Sequence, residues 1–125
     1  MMTRVFKTLT FSRWMKDVEL TDELLSNAVF EMQNGLIDAD LGGGVVKKRI
    51  ALTGRGKSGS SRTLLATNKN DRWFFIFGFE KNESENINAK ELKFLKRFAA
   101  GLLKTTDVEL LVLLKNKTLV EMNYE

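Results

Sequence analysis

VVKKRIALTGRGKSGSSRTLLATNKNDRWFFIFGF, residues 45 to 79, is the stretch that decides the fold. Val45 to Leu52 and Arg62 to Thr67 have strand length and composition, and TGRGKSGSS, residues 53 to 61, is a Gly/Ser loop between them too polar to bury. Asn68 to Asp71 turns the chain again, and Arg72 to Phe79 makes a third strand that is apolar on both faces. A strand without a polar face belongs at the centre of a sheet covered on both sides, so the rest of the chain must supply helical layers.

It contains the patterns to do so. RVFKTL, residues 4 to 9, reads as a short first strand with Val5 and Leu9 as its inward contacts. Thr10 is placed to cap a helix over Phe11, Trp14, Met15 and Val18. Thr21 is placed to cap a second, in which Leu24, Leu25, Ala28, Val29 and Met32 recur at helical spacing and Gly35 ends the run. An acidic loop, Asp38 to Asp40, and the flexible Gly42-Gly43-Gly44 lead into the strands. Asn88 and Glu91 have capping-box spacing ahead of Leu92, Leu95, Ala99, Leu102 and Leu103, and Thr106 and Glu109 repeat the box before a further helix. Lys117 to Met122 forms a final short strand or an ordered tail. The expected fold is α+β, one domain over residues 1–125: a small antiparallel sheet flanked by helices, in the order β-α-α-β-β-β-α with an extra C-terminal helix.

Composition narrows the chemistry. With 125 residues, 43% of them hydrophobic and 29% charged, the chain fits a soluble globular domain. It has neither cysteine nor histidine. Disulfides, thiolate metal sites and histidine-based acid/base catalysis are thereby excluded, and no cofactor or metal is expected. No apolar run has the length of a membrane span and the amino terminus lacks a signal-peptide core, so a cytoplasmic location without membrane contact is the expectation.

The net charge of +4 is unevenly spread. Residues 41 to 72 hold eight basic residues against Asp71 alone, whereas residues 1 to 40 hold four basic and seven acidic ones. Such a concentration suits a polyanion, because each neutralised phosphate releases counterions, although a solvated Lys/Arg face would look similar. Alternation in Val45 to Leu52 puts Lys47 and Arg49 on one face, and Val46, Lys48, Ile50 and Leu52 on the inward one. Lys48 is the anomaly there, as a sheet-edge position would explain. Arg55 and Lys57 follow in the loop, Arg62 opens the next strand, and Lys81 follows the third.

Antiparallel pairing of these strands gathers the cations on one concave surface. Cleavage of RNA by its own 2′-hydroxyl needs a base, a clamp for the charged phosphorane and an acid for the leaving oxygen. Arg62 is the first choice for the clamp, since guanidinium matches phosphate oxygens and stays charged. Lys57 and Lys81 are the candidates for proton transfer, with Glu83 an alternative base. Lys47, Arg49, Arg55 and Lys48 are the expected RNA-binding residues. Three other signals carry less weight: the Gly-Lys-Ser of GRGKSGSS lacks the first glycine of a P-loop, Asp38 and Asp40 lack further metal ligands, and Trp73 and the phenylalanines, which could stack bases, belong first to a strand apolar on both faces.

GGGVVKKRIALTGRGKSGSSRTLLA, followed by a turn and an aromatic strand ending FGFEKNE, resembles the RelE/HigB superfamily of toxin-antitoxin toxins, especially its HigB-like members. The resemblance covers residues 42 to 100. It implies ribosome-dependent endonucleolytic cleavage of messenger RNA without a metal, and a cognate antitoxin partner of helix-turn-helix type. The family's basic positions fall on Lys47, Arg49, Lys57, Arg62 and Lys81. Studied RelE members carry an aromatic hydroxyl where this chain has Asn86, Ile87 and Asn88, and an arginine where it has Asn82. The extra C-terminal helix suits antitoxin docking, a dimer or a toxin-antitoxin hetero-oligomer, or plain packing. Two alternatives stand beside the nuclease: a ParE-type toxin acting on DNA gyrase, and a non-catalytic nucleic-acid-binding module.

Overall fold

The computed structural model describes residues 2–51, 60–80 and 87–124. Along the chain run β1 (Arg4–Thr8), α1 (Leu9–Asp17), α2 (Asp22–Gln33), β2 (Ala39–Gly42), β3 (Val45–Ala51), β4 (Ser60–Thr67), β5 (Arg72–Glu80), α3 (Ala89–Leu103), α4 (Asp107–Lys115) and β6 (Leu119–Met122). The strands form one sheet in the order β2-β3-β4-β5-β1-β6, antiparallel except where β1 runs parallel to β5. The α+β architecture is thus the expected one, with β2 added at one edge and the C-terminal segment forming the short strand β6 at the other.

Each addition has a local cause. The Asp38–Asp40 and triple-glycine segment, expected as a loop, instead supplies β2 and a tight reversal into β3. Gly42, Gly43 and Gly44 all adopt positive φ, and a Cβ on Gly44 would lie 2.7 Å from Leu103. At the other edge, β6 pairs with β1, and Arg4 donates two hydrogen bonds of 2.8 Å across that pair to Glu121. The first helix is capped by Thr8, not Thr10. Thr8 ends β1 in extended geometry, as a cap requires, and its hydroxyl accepts from Phe11 N at 3.1 Å. Leu9 therefore begins α1 and is partly exposed, and Phe6 joins Val5 as a buried residue of β1. The caps expected at Thr21, Asn88 and Thr106 are all present.

The sheet is covered on both sides, as the aromatic strand demands. On one face Val5, Val46, Leu65, Trp73 and Phe75 pack under α1 and α2; on the other Phe6, Leu64, Ala66 and Phe74 pack under α3 and α4. Trp73, Phe74 and Phe75 are fully buried, each contributing about 1.5–3 kcal/mol of transfer free energy. Two strand lysines fasten α2 over its face. Lys7 donates to Asp22 at 2.8 Å at the start of that helix, and Lys48 donates to Glu31 at 2.9 Å near its end.

One irregularity shapes everything beyond the middle of β5. Leu64 pairs with Phe77 but Leu65 pairs with Phe75, so Ile76 is an extra residue and β5 carries a bulge. Past it, strand alternation is reversed: Phe77 and Phe79 join Arg62 and Leu64 on the α3 face, and Gly78 turns to the α1 face. Trp14 of α1 lies directly on Gly78, leaving no room for a side chain, since a Cβ there would be 2.2 Å from the indole.

Two outcomes follow. Gly78→Ala is expected to overpack this contact and lower unfolding free energy by about 1–3 kcal/mol, measured by urea titration. The Asp40 carboxylate, which joins the β2–β3 turn to Lys69 (2.5 Å) and accepts from Gly42 N (2.9 Å), is held below its ordinary pKa chiefly by the Lys69 hydrogen bond and next by the Gly42 bond. Its stabilising contribution is complete above the ordinary value of 3.8 and fades as pH falls through the depressed folded value. Asp40→Asn should remove that segment of the acid limb in a stability-against-pH profile.

Candidate functional site

Burial and pairing sort the cations of the middle third. Lys48 lies on the α2 face, 7% exposed, with its ammonium shared between Glu31 and the Leu36 carbonyl, each at 2.9 Å. It was expected among the RNA-binding residues and at a sheet edge, but β2 occupies the edge and α2 covers this face, so Lys48 is engaged as an internal strut. Lys69 is paired with Asp40, and Arg72 donates to Asp107 of α4 at 2.6 Å. Arg55 and Lys57, together with Lys81 and Glu83, lie outside the described residues.

Lys47, Arg49 and Arg62 remain. They share the sheet face that carries Val45, Leu64 and α3, and among the described residues none of the three has an ion-pair partner. Arg49 and Arg62 are direct cross-strand partners in the β3–β4 ladder. Like charges in that position repel, and a design for stability alone would place a carboxylate opposite one of them. Arg62 is half-buried beside its other register partner, Phe79, and its Nη1 is buried with no hydrogen-bond partner among the described residues. A buried guanidinium nitrogen left unsatisfied is costly unless a ligand completes it. The arrangement is poised for a polyanion whose phosphate oxygens accept from both arginines.

Acidic residues near the site have other duties. Asp38, considered as half of a carboxylate pair, accepts from Arg49 N at 2.6 Å and so covers the free edge of β3 beyond the end of β2. Among the described residues no three acidic side chains converge as a metal site would need.

Two sets of aromatic residues lie on this side of the sheet, one that the sequence reading assigned to the core of the strand and one that it passed over. Phe77 and Phe79 alternate with Phe75 in the sequence, so simple periodicity assigns them to the α1 face; the bulge is what turns them to Arg62, with ring centroids 6.1 Å apart. Phe94 and Phe98 of α3 lie outside its buried stripe, stacked at 6.4 Å with an interplanar angle of 4°. Their signal in the sequence was a pair of phenylalanines at i, i+4 flanking an already complete apolar stripe.

If Arg49 and Arg62 repel each other in the free protein, replacing one charge while keeping its apolar stem relieves a cost. Arg62→Met is expected to leave stability unchanged or raise it by about 0.2–1 kcal/mol. Denaturant midpoints of the two proteins check this, and a loss above that range would mean that Arg62 has a structural role.

Among the described residues no helix is long and apolar enough to cross a membrane. No curated protein matches the chain significantly. A family model described as the RelE toxin of the RelE / RelB toxin-antitoxin system matches residues 3–122, which takes in every strand and helix described above. This chain therefore belongs to the RelE toxin family, and is the toxin of a toxin-antitoxin pair.

Proposed function

We propose that this toxin is an endoribonuclease that cleaves messenger RNA, at the ribosome as the HigB-like resemblance implies, and that the Arg49–Arg62 face receives the scissile strand. The observation that carries the reading is the facing arginine pair, which has no carboxylate partner among the described residues, with an Arg62 Nη1 that is buried and finds no acceptor among them. Two like charges held together without a counterion are an unfavourable arrangement that phosphate would reverse.

In this reading Arg62 clamps the phosphate and stabilises the extra negative charge of the phosphorane, where preorganised donors have their largest effect. Lys47 and Arg49 hold the neighbouring phosphates in register along β3. Proton transfer falls to Lys57 and Lys81, whose ammonium groups would need neighbouring cations to favour the neutral base, a condition that a basic cluster supplies. Arg55 adds a further phosphate contact from the same loop. The partner that silences the site is a RelB-like antitoxin, and an acidic segment of it laid over the arginines would do so by the same electrostatics.

Brief induction of the protein followed by mapping of messenger-RNA 5′ ends tests the reading. Codon-phased cuts are expected with the wild type. Arg62→Ala is expected to abolish both the cuts and growth arrest while the fold persists; loss of a phosphate clamp of this kind costs about 100- to 1000-fold in rate. Intact transcripts accompanied by stalled gyrase would overturn the nuclease in favour of a gyrase poison.

A further inference from the structure

The apolar surface of α3 faces the same side of the sheet as the arginine pair and is not closed over. Phe94 is 66% exposed and Phe98 37%, and they stack on each other at the mouth of a groove of about 260 Å³ whose floor is Phe77, Leu95 and Ile76. That volume lies below the roughly 300 Å³ at which small-molecule pockets begin, and the groove is partly open to solvent, so it does not enclose a compact ligand. Exposed phenylalanines are costly to maintain in water unless something covers them.

The surroundings say what covers them. Along α3 Lys90 and Arg97 stand at i−4 and i+3 from Phe94, so they share its side of the helix. Helix α3 as a whole holds four cations against Glu91. A chain of side-chain neighbours links the groove to the candidate site: Phe94 and Phe98 line it with Phe77, Phe77 lies 6.1 Å from Phe79, and Phe79 is the register partner of Arg62. Cations for the backbone alternating with aromatic faces for the bases is the pattern of single-strand binding surfaces. A peptide partner of matching chemistry would have to be at once acidic and aromatic-seeking, whereas single-stranded RNA meets both demands in every nucleotide.

We propose that Phe94 and Phe98 form a base-stacking platform for single-stranded RNA, extending the site from the arginine pair along α3 so that unpaired bases flanking the scissile phosphate stack there, with Lys90 and Arg97 on their phosphates. This rests on the ribonuclease reading of the sheet face. The platform recognises a π-face and not a base edge, so it holds the strand with little sequence preference and leaves positioning of the reacting phosphate to the arginines.

The test uses the full chain and an uncleavable probe, a short 2′-O-methyl oligoribonucleotide carrying 2-aminopurine, with an abasic oligomer of equal length for comparison. Wild type should bind the probe with quenching of 2-aminopurine. The double variant Phe94→Leu/Phe98→Leu keeps an apolar surface but has no ring; it should lose the quenching and bind the probe about tenfold more weakly, as loss of one base-aromatic stack does. Its affinity for the abasic oligomer should be unchanged, and Phe94→Tyr/Phe98→Tyr should restore both signals. Unaltered affinity and quenching in the leucine variant, with wild type binding normally, would overturn the platform and leave the nuclease reading standing. Failure of the leucine variant to bind antitoxin while it still binds and quenches the probe would overturn it in favour of a protein-docking face. If wild type binds no probe at all, the platform is overturned, and the 5′-end map separately decides the nuclease.

Discussion

The rest of the structure depends on β5 being buried on both faces. Trp73 and Phe75 face one way and Phe74 and Ile76 the other, so neither side of the strand tolerates water. Two helical layers are then required, α1 and α2 on one side and α3 and α4 on the other, and two interior neighbours to satisfy the strand's backbone, β4 and β1. The parallel β1–β5 pair follows from that need: β1 is carried beside β5 and stacks Phe6 on Phe74 at 4.9 Å. Against this background the bulge at Ile76 is a local change with a large effect. It turns the last third of β5 over, placing Phe79 against Arg62 and a glycine beneath Trp14.

Charge is deployed differently on the two faces. On the α1/α2 face the buried lysines Lys7 and Lys48 each meet a carboxylate of α2, so they act as struts that tie helix to sheet. Such pairs gain little net stability after desolvation, but removing either partner would strand the other, which fixes the helix in place. On the α3 face Lys47, Arg49 and Arg62 have no acidic partner among the described residues. The same residue types therefore serve cohesion on one side and stored electrostatic potential on the other.

Much of this was legible in the sequence, and for a physical reason. Helix caps and hydrophobic period are local properties, so the boxes at Asn88/Glu91 and Thr106/Glu109, the Thr21 cap and the core stripes of α2 and α3 were all identifiable from neighbours within four residues. Strand alternation correctly put Lys47 and Arg49 on one face, and the excess of cations in residues 41 to 72 located the candidate site. Less legible were features fixed by partners distant in the chain. Lys48 could be assigned to the apolar face but not to Glu31, because that depends on where α2 crosses the sheet. Edge strands β2 and β6 are short, weakly patterned segments whose strand character comes from the ladders they join.

By itself the sequence determined the class of fold, the absence of histidine and cysteine chemistry, and the concentration of cations in one segment, since these follow from composition and from periods of two and 3.6 residues. Tertiary structure alone decided which cations are free. Lys48, Lys69 and Arg72 found carboxylates across the fold and, among the described residues, Lys47, Arg49 and Arg62 did not, a sorting that depends on strand register and helix placement and on nothing local. It also decided the facing of Phe77 and Phe79, because one extra residue in a ladder reverses every side chain beyond it, and a bulge is a property of two strands together.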